Sequence, residues 1–85
     1  MDIIDGYCHC GLSKYRPIED VNLVMNRFGV SRAVLVQHLG EYDNSYIGQV
    51  ITAQPHRFAG VMLVDVNGDL SALELAGFKG VRLLA

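Results

Sequence analysis

Residues 32 to 36 read Arg32-Ala33-Val34-Leu35-Val36, a continuous apolar run with no polar residue after its first position. A strand that is buried on both faces has this composition, and such strands form parallel sheets that are covered by helices. The sequence therefore predicts an α/β fold with this run as one of its central strands.

Strand-like and helical patterns alternate along the whole chain. Units of about 20 to 30 residues that repeat strand and helix predict right-handed parallel crossovers, as in an open doubly wound sheet or an eight-stranded barrel. A Gly-x-Gly-x-x-Gly loop and a Walker lysine are both absent, so a dinucleotide-binding sheet has little support. The predicted strands run from Ile3 to about Tyr7, Arg32 to Val36, Phe58 to Val64 with Asp65 at its end, and Gly80 to Leu84.

Three helices are predicted between these strands. The first has Pro17 in its opening turn and Gly29 as its stop, which are favoured positions for these residues. Its apolar stripe consists of Ile18, Val21, Val24, Met25 and Phe28. The second helix runs from Tyr46 to Ala53 before Pro55, and a short third helix from Leu70 to Ala76 lies between a capping Asp69 and Gly77.

Composition limits the class of protein. The 85 residues form one domain, 1–85, or a piece of a larger one, and 51% of them are apolar, as in a folded globular chain. A formal charge of -2 argues against nucleic acid as a partner. The chain has no apolar stretch of about 20 residues, no basic leader and two cysteines, so we expect a cytoplasmic protein with no membrane partner.

The end of the first strand contains several potentially reactive or metal-binding side chains close together, in Asp5-Gly6-Tyr7-Cys8-His9-Cys10-Gly11. Strand alternation predicts that Asp5, Tyr7 and His9 share one face and that Cys8 and Cys10 share the other. A zinc site made by Cys8, His9 and Cys10 is therefore less favoured than two buried thiols. His9 itself is either a metal ligand or a core histidine.

Four stretches of the sequence occur in order at the spacing of βα units: Ile3 to Gly11, Gly29 to Gln37, Pro55 to Val61 and Gly77 to Leu83. Together they resemble the start of the amidohydrolase-2 branch of the amidohydrolase superfamily, the metal-dependent TIM-barrel hydrolases and decarboxylases. The resemblance covers nearly the whole chain but only about four βα units of the family's barrel. It implies a partial (β/α)8 barrel with about four parallel strands and three crossover helices.

The resemblance also implies a divalent metal, most often zinc, which activates water or polarises a small carbonyl, ester, amide or aromatic carboxylate substrate. His9 matches the second histidine of the family's first-strand pair, whereas Tyr7 stands where the first histidine belongs. The family's later ligands would lie beyond residue 85. We therefore expect His9 to be the one surviving metal ligand and the chain alone to be inactive.

Three residues are candidates for substrate contact at the mouth of such a barrel. Tyr7 would donate a hydrogen bond to a substrate oxygen, His38 follows the second strand, and Arg82 in the fourth strand would pair with a substrate carboxylate. The alternatives are an ordinary loop histidine at His38 and a structural ion pair at Arg82. Asp65 at the end of the third strand is a further, weaker candidate, His56 is expected to be structural or exposed, and Lys79 is expected to face solvent.

Four parallel strands leave two edges unpaired, and unpaired edges promote association. We therefore expect a homo-oligomer or pairing with a complementary half-barrel. A non-catalytic half-barrel fragment or association module is the alternative to the enzyme function.

Overall fold

The computed structural model describes residues 3–12, 14–65 and 78–84. This part of the chain contains four strands and two helices in strict alternation up to β3. The predicted third helix, Leu70 to Ala76, lies outside the described residues together with its flanking Asp69 and Gly77. The elements are β1 (Ile3–Cys8), α1 (Ile18–Phe28), β2 (Val30–Val36), α2 (Ser45–Ala53), β3 (Phe58–Asp65) and β4 (Phe78–Leu84).

The four strands form one sheet in the order β1-β2-β3-β4, and each neighbouring pair is parallel. Helix α1 packs on β2, and α2 packs on β3. A parallel sheet in chain order with helices after its strands is the arrangement of a (β/α)8 barrel. The prediction of a partial barrel is therefore confirmed.

Local sequence explains why α1 begins and ends where it does. Pro17 supplies an extended residue before the first turn, with φ of -65°. At the other end, Gly29 adopts a left-handed conformation with φ of 71°, and its N–H donates to the Met25 carbonyl. A residue with a Cβ is strained in that conformation, so glycine is the suitable stop.

Only part of the predicted apolar stripe of α1 is buried against the sheet. Ile18 and Met25 are buried, as predicted. Val24 is 58% exposed and Phe28 is 67% exposed, so their prediction as core residues is wrong. The physical reason is that α1 covers β2, while no element among the described residues lies on its other side.

The main core lies between the helices and one face of the sheet. Both cysteines belong to this side: Cys10 is buried in the core and Cys8 packs against it, as predicted for small apolar side chains. The described residues contain no helix that is long and apolar enough to cross a membrane. The buried members of the core are Cys10, Ile18, Met25, Ala33, Leu35, Ile47, Val50, Ile51 and Phe58.

Candidate functional site

Arg82 and Tyr7 meet on the face of the sheet opposite the helices. Gly60 faces α2, because a Cβ built on it would meet Ile51 of that helix. Leu63 lies three residues further along β3 and therefore faces the side away from the helices. Arg82 of β4 is the register partner of Leu63, so it faces that side too. The Arg82 Nη1 donates to the Tyr7 Oη at 3.3 Å and to the Gln37 carbonyl at 3.3 Å.

This contact indicates how strongly the sheet is curved. β1 and β4 are the outermost strands of the sheet, with two strands between them. Their side chains still meet, at 3.3 Å, across the face that carries Arg82 and Tyr7. That face is therefore concave, as the inside of a barrel is.

His9 follows β1 and is held by the neighbouring strand. Its Nδ1 lies 2.6 Å from the carbonyl oxygen of Val36 in β2. Because a carbonyl only accepts, Nδ1 carries the hydrogen, and in the neutral ring Nε2 keeps its lone pair. His38 has the same arrangement, with Nδ1 3.2 Å from the Leu39 carbonyl oxygen. Among the described residues neither Nε2 makes a hydrogen bond, so each can act as a proton acceptor or ligand.

A row of aromatic rings joins these two histidines at the same end of the sheet. The ring centroids of Tyr7 and His9 lie 4.8 Å apart, those of His9 and Tyr15 lie 4.8 Å apart, and those of Tyr15 and His38 lie 5.0 Å apart. The first pair is edge-to-face and the other two are tilted, and ring pairs at these separations are favourable contacts. The structure thus brings the predicted residues Tyr7, His9, His38 and Arg82 to one site.

Tyr15 belongs to this site as well, although no sequence pattern predicts it. It lies in the loop between β1 and α1, between the rings of His9 and His38. The available signal was its position: loops that follow the strands of a barrel form its mouth. An aromatic residue in such a loop is a candidate for the site on that ground alone.

Two buried polar side chains hold the loop that carries His38. Gln37 accepts a hydrogen bond from the His38 N–H at 3.1 Å and donates from its Nε2 to the Asp43 carbonyl at 3.0 Å. Asn44 donates to the Leu63 carbonyl at 3.1 Å and accepts from the Leu63 N–H at 3.2 Å. The Asn44 amide therefore fixes the end of this loop to β3, and the Gln37 amide fixes the His38 backbone to the rest of the loop.

Asp5 departs from the predicted alternation. The pairing of β1 with β2 is irregular between Asp5 and Cys8. The Asp5 carboxylate accepts from the Tyr7 N–H at 3.0 Å and lines the groove beside α1. Tyr7 and His9 share a site as predicted, but the extra residue at the irregularity leaves Asp5 out of it.

The other candidates lie away from this site. His56 is exposed and lines a pocket with Arg57 beside the start of β3, and Lys79 is exposed, as predicted for both. Asp65 ends β3, but its side chain lies outside the described part of the structure.

The donors among the described residues do not by themselves make a metal site. Among the described residues, no group of three or more His, Cys, Asp or Glu side chains is arranged to hold one. Burial, with a further contribution from Cys8, raises the pKa of the Cys10 thiol to about 11, which opposes the thiolate form that zinc requires. Tyr7 contributes a phenol, so His9 Nε2 is the one suitable donor among the predicted ligands.

Comparison with solved structures supports the fold. No family model and no curated protein sequence matches this chain. A probable 2-pyrone-4,6-dicarboxylic acid hydrolase from Acinetobacter baumannii, solved with citric acid bound, superimposes with a TM-score of 0.75 at 23% sequence identity. The match covers 98% of this chain and 38% of that protein, which is a TIM barrel. The chain has the fold of part of a (β/α)8 barrel.

Proposed function

We propose that the chain is the N-terminal portion of an amidohydrolase-like hydrolase. We also propose that its rim, the end of the sheet where Tyr7, His9, His38 and Arg82 meet, binds a small carboxylate substrate. The observation that carries this proposal is the position of Arg82. Its guanidinium lies on the concave face beside Tyr7, and within the described residues no carboxylate is within ion-pair distance of it. A partly buried guanidinium without an acidic partner is suited to a carboxylate ligand.

The neighbouring groups suit the oxygens and protons of such a substrate. The Tyr7 Oη accepts from Arg82, so its own O–H is free to donate to a substrate oxygen. Neutral His9 or His38 would accept a proton at Nε2 from a water that attacks the substrate carbonyl carbon. The same carboxylate-binding rim would serve a decarboxylase, so binding is the part of the proposal that both chemistries share.

The structural neighbour adds an independent argument about ligand class. Its name specifies a dicarboxylic acid, and it was solved with citric acid bound. Both molecules are small and carry several carboxylates. The chain spans little more than a third of that protein, so turnover requires the remaining strands of a barrel in this proposal. Zinc dependence, which the family resemblance implies, would need ligands from those strands beside His9.

Citrate binding by Arg82 is the test of this proposal. We expect citrate to bind to the purified chain in isothermal titration calorimetry, and Arg82→Gln to weaken binding by about ten- to a hundredfold, because a charge-assisted hydrogen bond contributes about 1.5–3 kcal/mol. The control is Arg27→Gln, which removes an exposed guanidinium from the last turn of α1. No citrate binding, or equal affinities of the two variants, would contradict the proposal.

A non-catalytic association module is the second candidate. It is favoured by the exposed apolar side chains of β1 and α1, among which Leu23 is 68% exposed. The two functions predict different results in the same preparation. A chain that self-associates but does not bind citrate supports the module, whereas citrate binding that depends on Arg82 supports the hydrolase.

A further inference from the structure

Gln37 lies directly after β2, where it contacts both Arg82 and the loop that carries His38. It is only 3% exposed although its side chain is polar. Its backbone N–H donates to the Val61 carbonyl at 2.9 Å, which continues the pairing of β2 with β3. Its own carbonyl accepts from the Arg82 Nη1 at 3.3 Å. Both backbone groups of this buried residue are therefore bonded, and one of them holds the Arg82 guanidinium.

The peptide unit between Gln37 and His38 is held from two sides. Its carbonyl oxygen is the acceptor for Arg82, and its N–H donates to the Gln37 side-chain oxygen Oε1 at 3.1 Å. The Gln37 Nε2 in turn donates to the Asp43 carbonyl at 3.0 Å. Because a peptide unit is planar, a bond that fixes its N–H also fixes the direction of its carbonyl. The Gln37 side chain thus determines where the acceptor for Arg82 points.

The two acceptors of Arg82 decide which edge of its guanidinium is left for a ligand. Nη1 carries two hydrogens, and it donates to two acceptors, the Tyr7 Oη and the Gln37 carbonyl, each at 3.3 Å. Among the described residues, no acceptor is bonded to the Arg82 Nε or Nη2. These two nitrogens present parallel N–H bonds, which is the geometry that binds both oxygens of a carboxylate. The Nε–Nη2 edge therefore suits a carboxylate.

We propose that Gln37 is the positioning residue of the carboxylate site, because it holds Nη1 so that the Nε–Nη2 edge of Arg82 receives both oxygens of one carboxylate. The inference rests on the proposed function, in which this guanidinium binds the substrate, and it adds the direction from which the substrate approaches. Gln37 itself touches no substrate in this arrangement. It acts through Arg82.

A buried glutamine that only anchors a loop would behave differently. In that role its loss lowers stability, and any effect on ligand affinity adds to the effect of losing Arg82. A positioning role makes the two effects non-additive, because Gln37 has nothing left to position once the guanidinium is removed. The coupling between the two residues is therefore the quantity to measure.

A double-mutant cycle with citrate measures this coupling. We expect Gln37→Met, which keeps an unbranched side chain of similar length but removes both amide bonds, to raise the dissociation constant for citrate about three- to tenfold. In the Arg82→Gln background the same change should alter the constant by less than about twofold. Binding is followed by NMR titration, which also measures weak affinities, and circular dichroism establishes that each variant is folded.

The matched control is Gln54→Met, the same substitution in a half-buried residue between α2 and β3, at the end of the sheet opposite the rim. It should leave the dissociation constant within about twofold of the original.

The Arg82 Nε–H resonance tests the assigned edge in the same titration. It should move downfield when citrate is added, because Nε then donates to a carboxylate oxygen, whereas the Arg27 Nε–H resonance should stay in place. An Arg82 resonance that does not move while citrate binds would overturn the assigned edge.

The results of the cycle separate this inference from the proposed function. Weaker binding in Gln37→Met that disappears in the Arg82→Gln background supports the inference. Citrate binding that depends on Arg82 but is unchanged in Gln37→Met, or is weakened equally in both backgrounds, overturns it and leaves the proposed function in place. No citrate binding by the unmodified chain, or binding that Arg82→Gln does not weaken, overturns both.

Discussion

Tyr7 stands two residues before His9, close enough for their rings to touch at a centroid separation of 4.8 Å. Two imidazoles at these positions would form the first-strand metal pair of the family that the sequence resembles. A neutral phenol is a poor ligand for a divalent metal, whereas neutral imidazole is a common one. The identity of this one side chain therefore decides whether the chain offers one donor nitrogen or two.

Restoring the pair should create a weak zinc site. We expect Tyr7→His to increase zinc affinity about tenfold or more over the unmodified chain, measured by calorimetry with zinc alone at neutral pH. The gain should disappear in the double variant Tyr7→His with His9→Ala, which serves as the control. Equal zinc affinity in all three proteins would mean that the two side chains do not converge on one ion.

Residue identity and chain order were sufficient to predict part of this site. Tyr7, His9, His38 and Arg82 were each assigned to the carboxyl end of a strand, and parallel strands bring those ends together. Tyr15 and Asn44 were missed because their roles depend on contacts across loops, which have no periodic pattern. Asp5 was placed on the wrong face because an irregularity in strand pairing leaves no signal in a single sequence.

At the scale of elements, the boundaries of a helix were predictable where the backbone conformation at its end favours one residue type. Gly29 and Pro17 define α1, and the apolar runs define β2 and β3. The exposure of Val24 and Phe28 was not predictable, because an apolar stripe identifies the apolar face of a helix but not how much of that face another element covers. Which side chains of that face are covered depends on the strand and helix that pack beside it.

The close packing of α2 on β3 and β4 depends on Gly60, because glycine has no side chain at this point of contact. A Cβ on Gly60 would lie 2.5 Å from Ile51 Cδ1 and 2.9 Å from Phe78 Cδ1, so both neighbours would have to move. We expect Gly60→Ala to lower the free energy of unfolding by about 1–3 kcal/mol, as overpacking does in other cores. Urea denaturation at a fixed chain concentration measures the change.

The matched control is Gly6→Ala in β1, where an added Cβ would have no heavy atom within 4 Å. Its effect should stay within about 0.5 kcal/mol, as for surface substitutions in general. If the two variants are equally stable, then α2 does not pack on β3 and β4 as closely as described.

At the scale of the whole molecule, exposed apolar side chains link stability to association. Ile4 of β1 is 53% exposed and Phe28 of α1 is 67% exposed. Exposed apolar surface of this kind promotes association, so we expect the folded chain to self-associate. A folded state that associates is stabilised by mass action, and its melting temperature rises with concentration. For a dimer of this size we expect a rise of about 8 °C for a hundredfold increase in chain concentration, measured by differential scanning fluorimetry across that range. A melting temperature that stays constant over the range would mean that the chain folds and is stable without associating.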